Sequence, residues 1–252
     1  MKKILAILIF LFFSQNSIAS PSRNLSIFAE PNMAVALTKI ARIYSQKNNI
    51  IVSLNFASAA DLMMEIDSGE PINIFISANP EPIESLRNKG LVDVYNIVFF
   101  AEDELVLVSS KNNKTNLILP EQNLSLYSAL TILNNNKSSL IIDDVTSSSG
   151  KFSEDFIKKA KLNDLKILQR VAEDGGSIAD LAAMSEHYAL MLKSQAYNKK
   201  DLQILVDKKD GDIFYQALVI AGDNMDNARE FLKFLKTHAT KDILRSSGLK
   251  VE

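Results

Sequence analysis

The chain contains no cysteine. That excludes a disulfide scaffold, a thiolate metal site, a cysteine nucleophile and a lipid-modified N-terminal cysteine. Histidine is nearly absent too, with only His187 and His238. Neither lies in a His-x-x-x-His or Gly-x-Ser-x-Gly context, so the common metallohydrolase and serine-hydrolase signatures are missing. Neither sign of charge dominates: 28 Lys and Arg stand against 30 Asp and Glu. Both signs are spread along the chain without a basic stripe, which argues against a nucleic-acid partner. Beyond the N-terminus no segment supplies the about 20 apolar residues that a transmembrane helix requires.

Two short sequences come near an enzymatic motif and fall short of it. Ser148-Ser149-Gly150-Lys151 lacks the leading glycine and the Gly-Lys-Ser/Thr order of a phosphate loop. Asp143-Asp144 could be a metal pair, but one carboxylate at a strand end and one capping the following turn is the simpler reading. His187 precedes an apolar run and His238 falls near the C-terminal helix, where it can interact with that helix end. No catalytic residue, cofactor or enzymatic activity is expected.

What the chain does have begins with an address. Lys2 and Lys3 precede an unbroken apolar run over residues 4–13, polar residues 14–17 follow, and Ser17-Ile18-Ala19 places small residues at the cleavage-determining positions. This is the pattern of a signal peptide over residues 1–19, cut after Ala19; an uncleaved anchor is the competing reading. The expected product is exported, soluble and periplasmic. Its about 230 residues suffice for one large or two small domains.

Apolar periodicity then alternates between strand and helix. Residues 25–29, 50–56, 72–77 and 105–109 read as strands, and so do 139–142, 166–171, 187–192, 202–206 and 214–220. Between them, 33–46, 62–66, 81–88, 150–161, 177–185, 227–236 and 242–246 read as helices, with Gly69 and Gly90 as stops. Such alternation implies sheets flanked by helices on both faces. In such folds ligands bind beyond the carboxyl ends of strands, where helices begin. Four strand-to-helix junctions carry small or polar residues: Glu30-Pro31-Asn32, Ser58-Ala59-Ala60-Asp61, Ser147-Ser148-Ser149-Gly150 and Asp174-Gly175-Gly176-Ser177. Each offers unpaired N–H groups and the positive end of a helix dipole, which suits an oxyanion without any Lys or Arg. Ordinary N-caps and tight turns have the same composition.

Phe28-Ala29-Glu30-Pro31-Asn32-Met33, the turn from Phe56 to Asp61, and Gly69-x-Pro71 followed by Phe75-Ile76-Ser77-Ala78 together resemble the molybdate-binding periplasmic proteins of ABC transporters. The segments Lys89-Gly90-Leu91, Asp143 to Gly150, Ala172-Glu173-Asp174 and Phe231 to Leu235 extend the resemblance over nearly all of the mature chain. It implies a two-lobed α/β fold of the type II periplasmic binding proteins, each lobe a mostly parallel sheet. The implied bounds are 21–103 and 208–252 for one lobe and 104–207 for the other, joined by two hinge crossings near residues 100–104 and 206–213.

The resemblance also implies the site. In that family the oxyanion is held by two serine hydroxyls, backbone N–H groups and a tyrosine hydroxyl. The serines fall on Asn32 and on Ala60, with Ser58 nearby; backbone donors fall on Ser149 and Gly175; the tyrosine falls on Leu192. The backbone donors survive and three hydroxyls do not. Asn32 can donate through its amide, Ser147, Ser148, Ser149 and Ser177 can supply hydroxyls, and Lys193 can add charge. Glu30 and Asp61 would repel an anion, Asp61 reading better as an N-cap. The implied ligand is a small oxyanion such as molybdate or tungstate, delivered by a monomeric receptor to a membrane permease. A pocket drifted to an organic or zwitterionic solute stays open, as does a secreted interaction protein without a transport role.

Overall fold

In the computed structural model, residues 24–114, 124–162, 164–169, 177–207 and 213–251 are described. The expected signal peptide and the junction residues Asp174, Gly175 and Gly176 lie outside them. Ten strands form two five-stranded sheets. The first contains β1 (Asn24–Ala29), β2 (Ile51–Phe56), β3 (Ile74–Ser77), β4 (Ile97–Asp103) and β10 (Ile213–Val219), in the order β2-β1-β3-β10-β4. The second contains β5 (Leu105–Ser110), β6 (Ser139–Ile142), β7 (Lys166–Gln169), β8 (Tyr188–Leu192) and β9 (Leu202–Val206), in the order β7-β6-β8-β5-β9. The chain thus passes from one sheet to the other at Glu104 and returns after Val206.

Both sheets are mixed. β1 pairs in parallel with β2 and β3, and β6 with β7 and β8. β10 runs antiparallel to β3 and β4, and β5 antiparallel to β8 and β9. The two antiparallel strands are those that directly follow a passage between lobes. They enter their sheet from the side of the partner lobe, whereas each β-helix-β unit returns to the opposite end of its own sheet.

The helices follow from sequence patterns that bury one face. α1 (Ala34–Asn48) buries Ala36, Leu37, Ile40, Ala41 and Tyr44, the stripe its apolar spacing predicts, and stops at Asn49 in the left-handed region. With α8 (Met225–Leu235) and α9 (His238–Arg245) it covers one face of the first sheet, where Tyr44 meets Phe231 edge-on at 5.0 Å. α2 (Ala59–Asp67) and α3 (Pro80–Asn88) cover the other face. β3 is buried at all four positions because helices cover both of its sides. In the second lobe α4 (Leu126–Asn135) and α5 (Ser148–Lys159) pack on one face, α6 (Ile178–Met184) and α7 (Lys193–Ala196) on the other.

Three elements escape the sequence reading. β4 occupies most of the stretch read as a hinge crossing, so the passage contracts to the Asp103–Glu104 link. α4 and the four-residue α7 were not expected.

Candidate functional site

Between the lobes lies a cavity of ≈ 400 Å³. The first lobe lines it with Glu30, Pro31, Asn32, Ser58 and Asp61, the second with Asp143, Asp144, Ser147, Ser149 and Gln195, among others. The starts of three helices converge there. Ser58 caps α2: its Oγ accepts from the Asp61 N–H at 3.1 Å and donates to Asp61 Oδ2 at 2.6 Å. Asp61 is therefore the third residue of the helical turn, and the cap is Ser58 rather than Asp61. Ser147 caps α5 by accepting from the Gly150 N–H at 3.1 Å, and Ser177 caps α6 by accepting from the Asp180 N–H at 3.1 Å. Gly150 is obligatory: a Cβ there would lie 2.0 Å from the Asp144 carbonyl oxygen. The close approach fixes the first turn of α5 against the end of the preceding loop.

Glu30 is buried in this arrangement, only 2% exposed. Its Oε1 accepts from Ser77 Oγ at 2.7 Å and from Ser148 Oγ at 2.6 Å, and its Oε2 accepts from the Ser148 N–H at 3.0 Å. A carboxylate of the first lobe thus sits at the N-terminus of a helix in the second, where the helix dipole and an otherwise unpaired N–H favour negative charge. Ser148 is one of the four seryl hydroxyls the sequence offered, and it is spent on Glu30.

Two further networks tie the lining down. Asn32 donates its amide to the hydroxyl of Tyr215 in β10. Tyr215 is fully buried, and burial foremost, with the nearby Asp103 and Glu30 charges, raises its pKa well above the ordinary value, so the phenol stays neutral. On the opposite wall Gln195 Oε1 accepts from Ser149 Oγ at 2.7 Å and from the Leu192 N–H at 3.0 Å, while its Nε2 donates to Asp143 Oδ2 at 3.2 Å. Ser149, the second residue of α5, lines the cavity from that helix's first turn.

At the link between lobes two adjacent carboxylates behave oppositely. Burial raises Asp103 to about 6, although its Oδ1 accepts from the N–H groups of Glu104 and Ser194 and the Ser194 side chain also acts to lower it. Glu104 is as deeply buried, and burial alone would raise it. The hydrogen bonds around it, with Asp207 first and then from Lys193 and Lys250, outweigh that and hold it down at about 2. Lys193 Nζ also reaches both oxygens of Asp207 at 2.7 Å. Lys193, a candidate source of charge for the cleft, is therefore committed to this cluster.

Of the residues expected at a ligand, Asn32, Ser58 and Ser149 are brought together at the cavity. Ala60 is not among them; it is exposed and lines the adjoining hollow with Met63 and Asp67. Leu192 is fully buried and packs into the hydrophobic cluster of the first lobe. Gly175 lies outside the described residues. Gln195 and Tyr215 were missed. A single tyrosine in the mostly apolar run of β10 was the available sign for the second, and nothing local marks the first. Among the described residues no Lys or Arg lines the cavity, and no cluster of three or more His, Asp or Glu could hold a metal ion.

Comparison with known proteins agrees with this architecture. Residues 25–250 match the family described as bacterial extracellular solute-binding protein. The molybdate-binding protein ModA of Haemophilus influenzae is 23% identical over 240 residues, 92% of this chain and 91% of that protein. The solved structure of the tungstate ABC transporter protein from Geobacter sulfurreducens superposes with a TM-score of 0.70 at 15% identity, covering 90% of this chain and 99% of that one. The periplasmic molybdate-binding protein of Azotobacter vinelandii gives 0.68 at 17% identity, with 90% and 99% covered. At these identities the solved structures establish the fold.

Proposed function

Because the chain belongs to the bacterial extracellular solute-binding protein family, we propose that it is exported to the periplasm by its N-terminal signal and receives a small oxyanion such as molybdate or tungstate in the interlobe cleft. The observation that carries this reading is the meeting of helix starts from both lobes around one small polar cavity, with Asn32, Ser58 and Ser149 among its lining residues. Neutral donors at helix N-termini hold a desolvated oxyanion without cations. The lobes, residues 21–103 with 208–252 and residues 104–207, close about the links at Glu104 and Asp207. Solute bridging them shifts the population to the closed form, which an ABC permease then reads. The protein does no chemistry on its solute and acts as a monomer.

A second reading is favoured by one observation: Glu30, Asp61, Asp143 and Asp144 all line the cavity, and among the described lining residues there is no Lys or Arg. A solute carrying an ammonium group fits that field. A thermal-shift panel of molybdate, tungstate, sulfate, phosphate, amino acids and polyamines separates the two. A ligand at 100 times its Kd stabilises by about 2.7 kcal/mol. Stabilisation by molybdate or tungstate supports the first reading; stabilisation by amino acids or polyamines alone replaces it with the second.

A further inference from the structure

We propose that Glu30 determines what the cleft admits: its carboxylate occupies the anion seat at the start of α5, latches the empty lobes together and competes with any oxyanion for that seat. The inference rests on the oxyanion reading above only for the identity of the competitor. The latch itself rests on geometry.

Three features support it. First, the carboxylate is held from both lobes at once, by Ser77 of β3 and by Ser148 of α5, residues 47 and 118 positions away in the chain. Second, every one of these donors is neutral. The charge is balanced by hydroxyl and N–H dipoles and by the helix end, as a bound oxyanion would be. Third, the seat is rigid. Ser77 Oγ accepts from the Asn79 N–H at 3.0 Å while donating to Glu30, and Gly150 locks the first turn of α5 against the Asp144 carbonyl. Two anions cannot share such a seat, because like charges at contact distance in a desolvated pocket repel strongly. An incoming oxyanion must displace Glu30, and the Ser148 donors are released only when it does so. Removing this carboxylate is accordingly expected to raise oxyanion affinity.

The test uses the mature chain with Glu30→Ala and Glu30→Gln, both checked for native far-ultraviolet circular dichroism. Small-angle scattering on the unliganded proteins reads the latch, and calorimetric titration with molybdate reads the competition. The expected result is a larger radius of gyration for unliganded Glu30→Ala than for the wild type, with molybdate affinity raised at least tenfold. Glu30→Gln keeps the shape and loses the charge, and it should fall between the two; it carries the test if the alanine variant does not fold. Unchanged dimensions in the variants overturn the latch whatever they bind. Open variants with molybdate affinity equal to or below that of the wild type overturn the competition. If the variants open and neither they nor the wild type bind molybdate, tungstate or sulfate, the latch stands and the oxyanion reading of the cleft fails.

Discussion

Glu30 and Glu104 are both buried carboxylates placed between the same two lobes, yet they are satisfied by different chemistry. Glu30, in the cleft, receives three hydrogen bonds from neutral groups. Glu104, at the link, receives the ammonium groups of Lys193 and Lys250. Neutral donors hold an anion by geometry, so another anion of suitable shape can use them. Paired cations hold it by charge as well, and separating them leaves uncompensated charge behind. The molecule thus pairs Glu104 with cations at the link between the sheets and Glu30 with neutral dipoles in the cleft.

The largest expected effect comes from removing the hinge charge. Glu104→Gln leaves two ammonium groups facing a neutral side chain and should cost about 3 kcal/mol in urea unfolding at pH 7. Its pH signature checks the cause. Glu104 is lowered from 4.5 to about 2, so its contribution is present above about pH 4.5 and is lost as pH falls toward 2. That acid slope should flatten in the variant; an unchanged slope would show that the lysines do not hold the carboxylate.

An effect of opposite sign is expected one residue earlier. Asp103 is raised from 3.8 to about 6, so between those values the native state keeps a proton that the unfolded chain has released. Stability accordingly declines as pH rises through that window and is flat above it. Asp103→Asn keeps the acceptor used by the Glu104 and Ser194 N–H groups and removes the buried charge. It should stabilise by about 2 kcal/mol at pH 7.5 and by almost nothing at pH 3.5. Equal stabilisation at both values would assign the gain to packing.

The smallest effect sharpens the neutral side of the contrast. Tyr215→Phe removes the acceptor of the Asn32 amide without touching any charge. The expected cost is about 1 kcal/mol, independent of pH between 5 and 8. A loss that grew with pH would mean that the phenol is coupled to the neighbouring carboxylates more tightly than a neutral hydroxyl can be.

The fold was legible where burial repeats locally. The stripe Ala36, Leu37, Ile40, Ala41 and Tyr44 announces α1, and the solid run of β3 announces a strand covered on both sides. β4 was read as a connection because it sits beside the lobe passage, and its half-exposed alternation, with Phe99 facing solvent, resembles an edge. The cleft was legible at Asn32, Ser58 and Ser149 because each stands at a helix start. Leu192 and Ala60 were not, since a matching position in the chain does not fix the direction of a side chain. Leu192 turns inward to the first-lobe cluster. The bonds that organise the site, Asn32 with Tyr215, Ser149 with Gln195 and Glu30 with Ser148, span 183, 46 and 118 residues, and no local pattern encodes such distances.

Lys193 gives the bridge between Glu104 and Asp207 a mechanical meaning. These two acids stand on the two separate strands of chain that connect the lobes. Clasping both to one ammonium group gathers the connections at a single pivot. Sliding of one lobe along the other would pull the acids apart, whereas rotation about the line through them leaves the clasp intact. Rotation about that line is thus the relative displacement of the two sheets that the clasp opposes least.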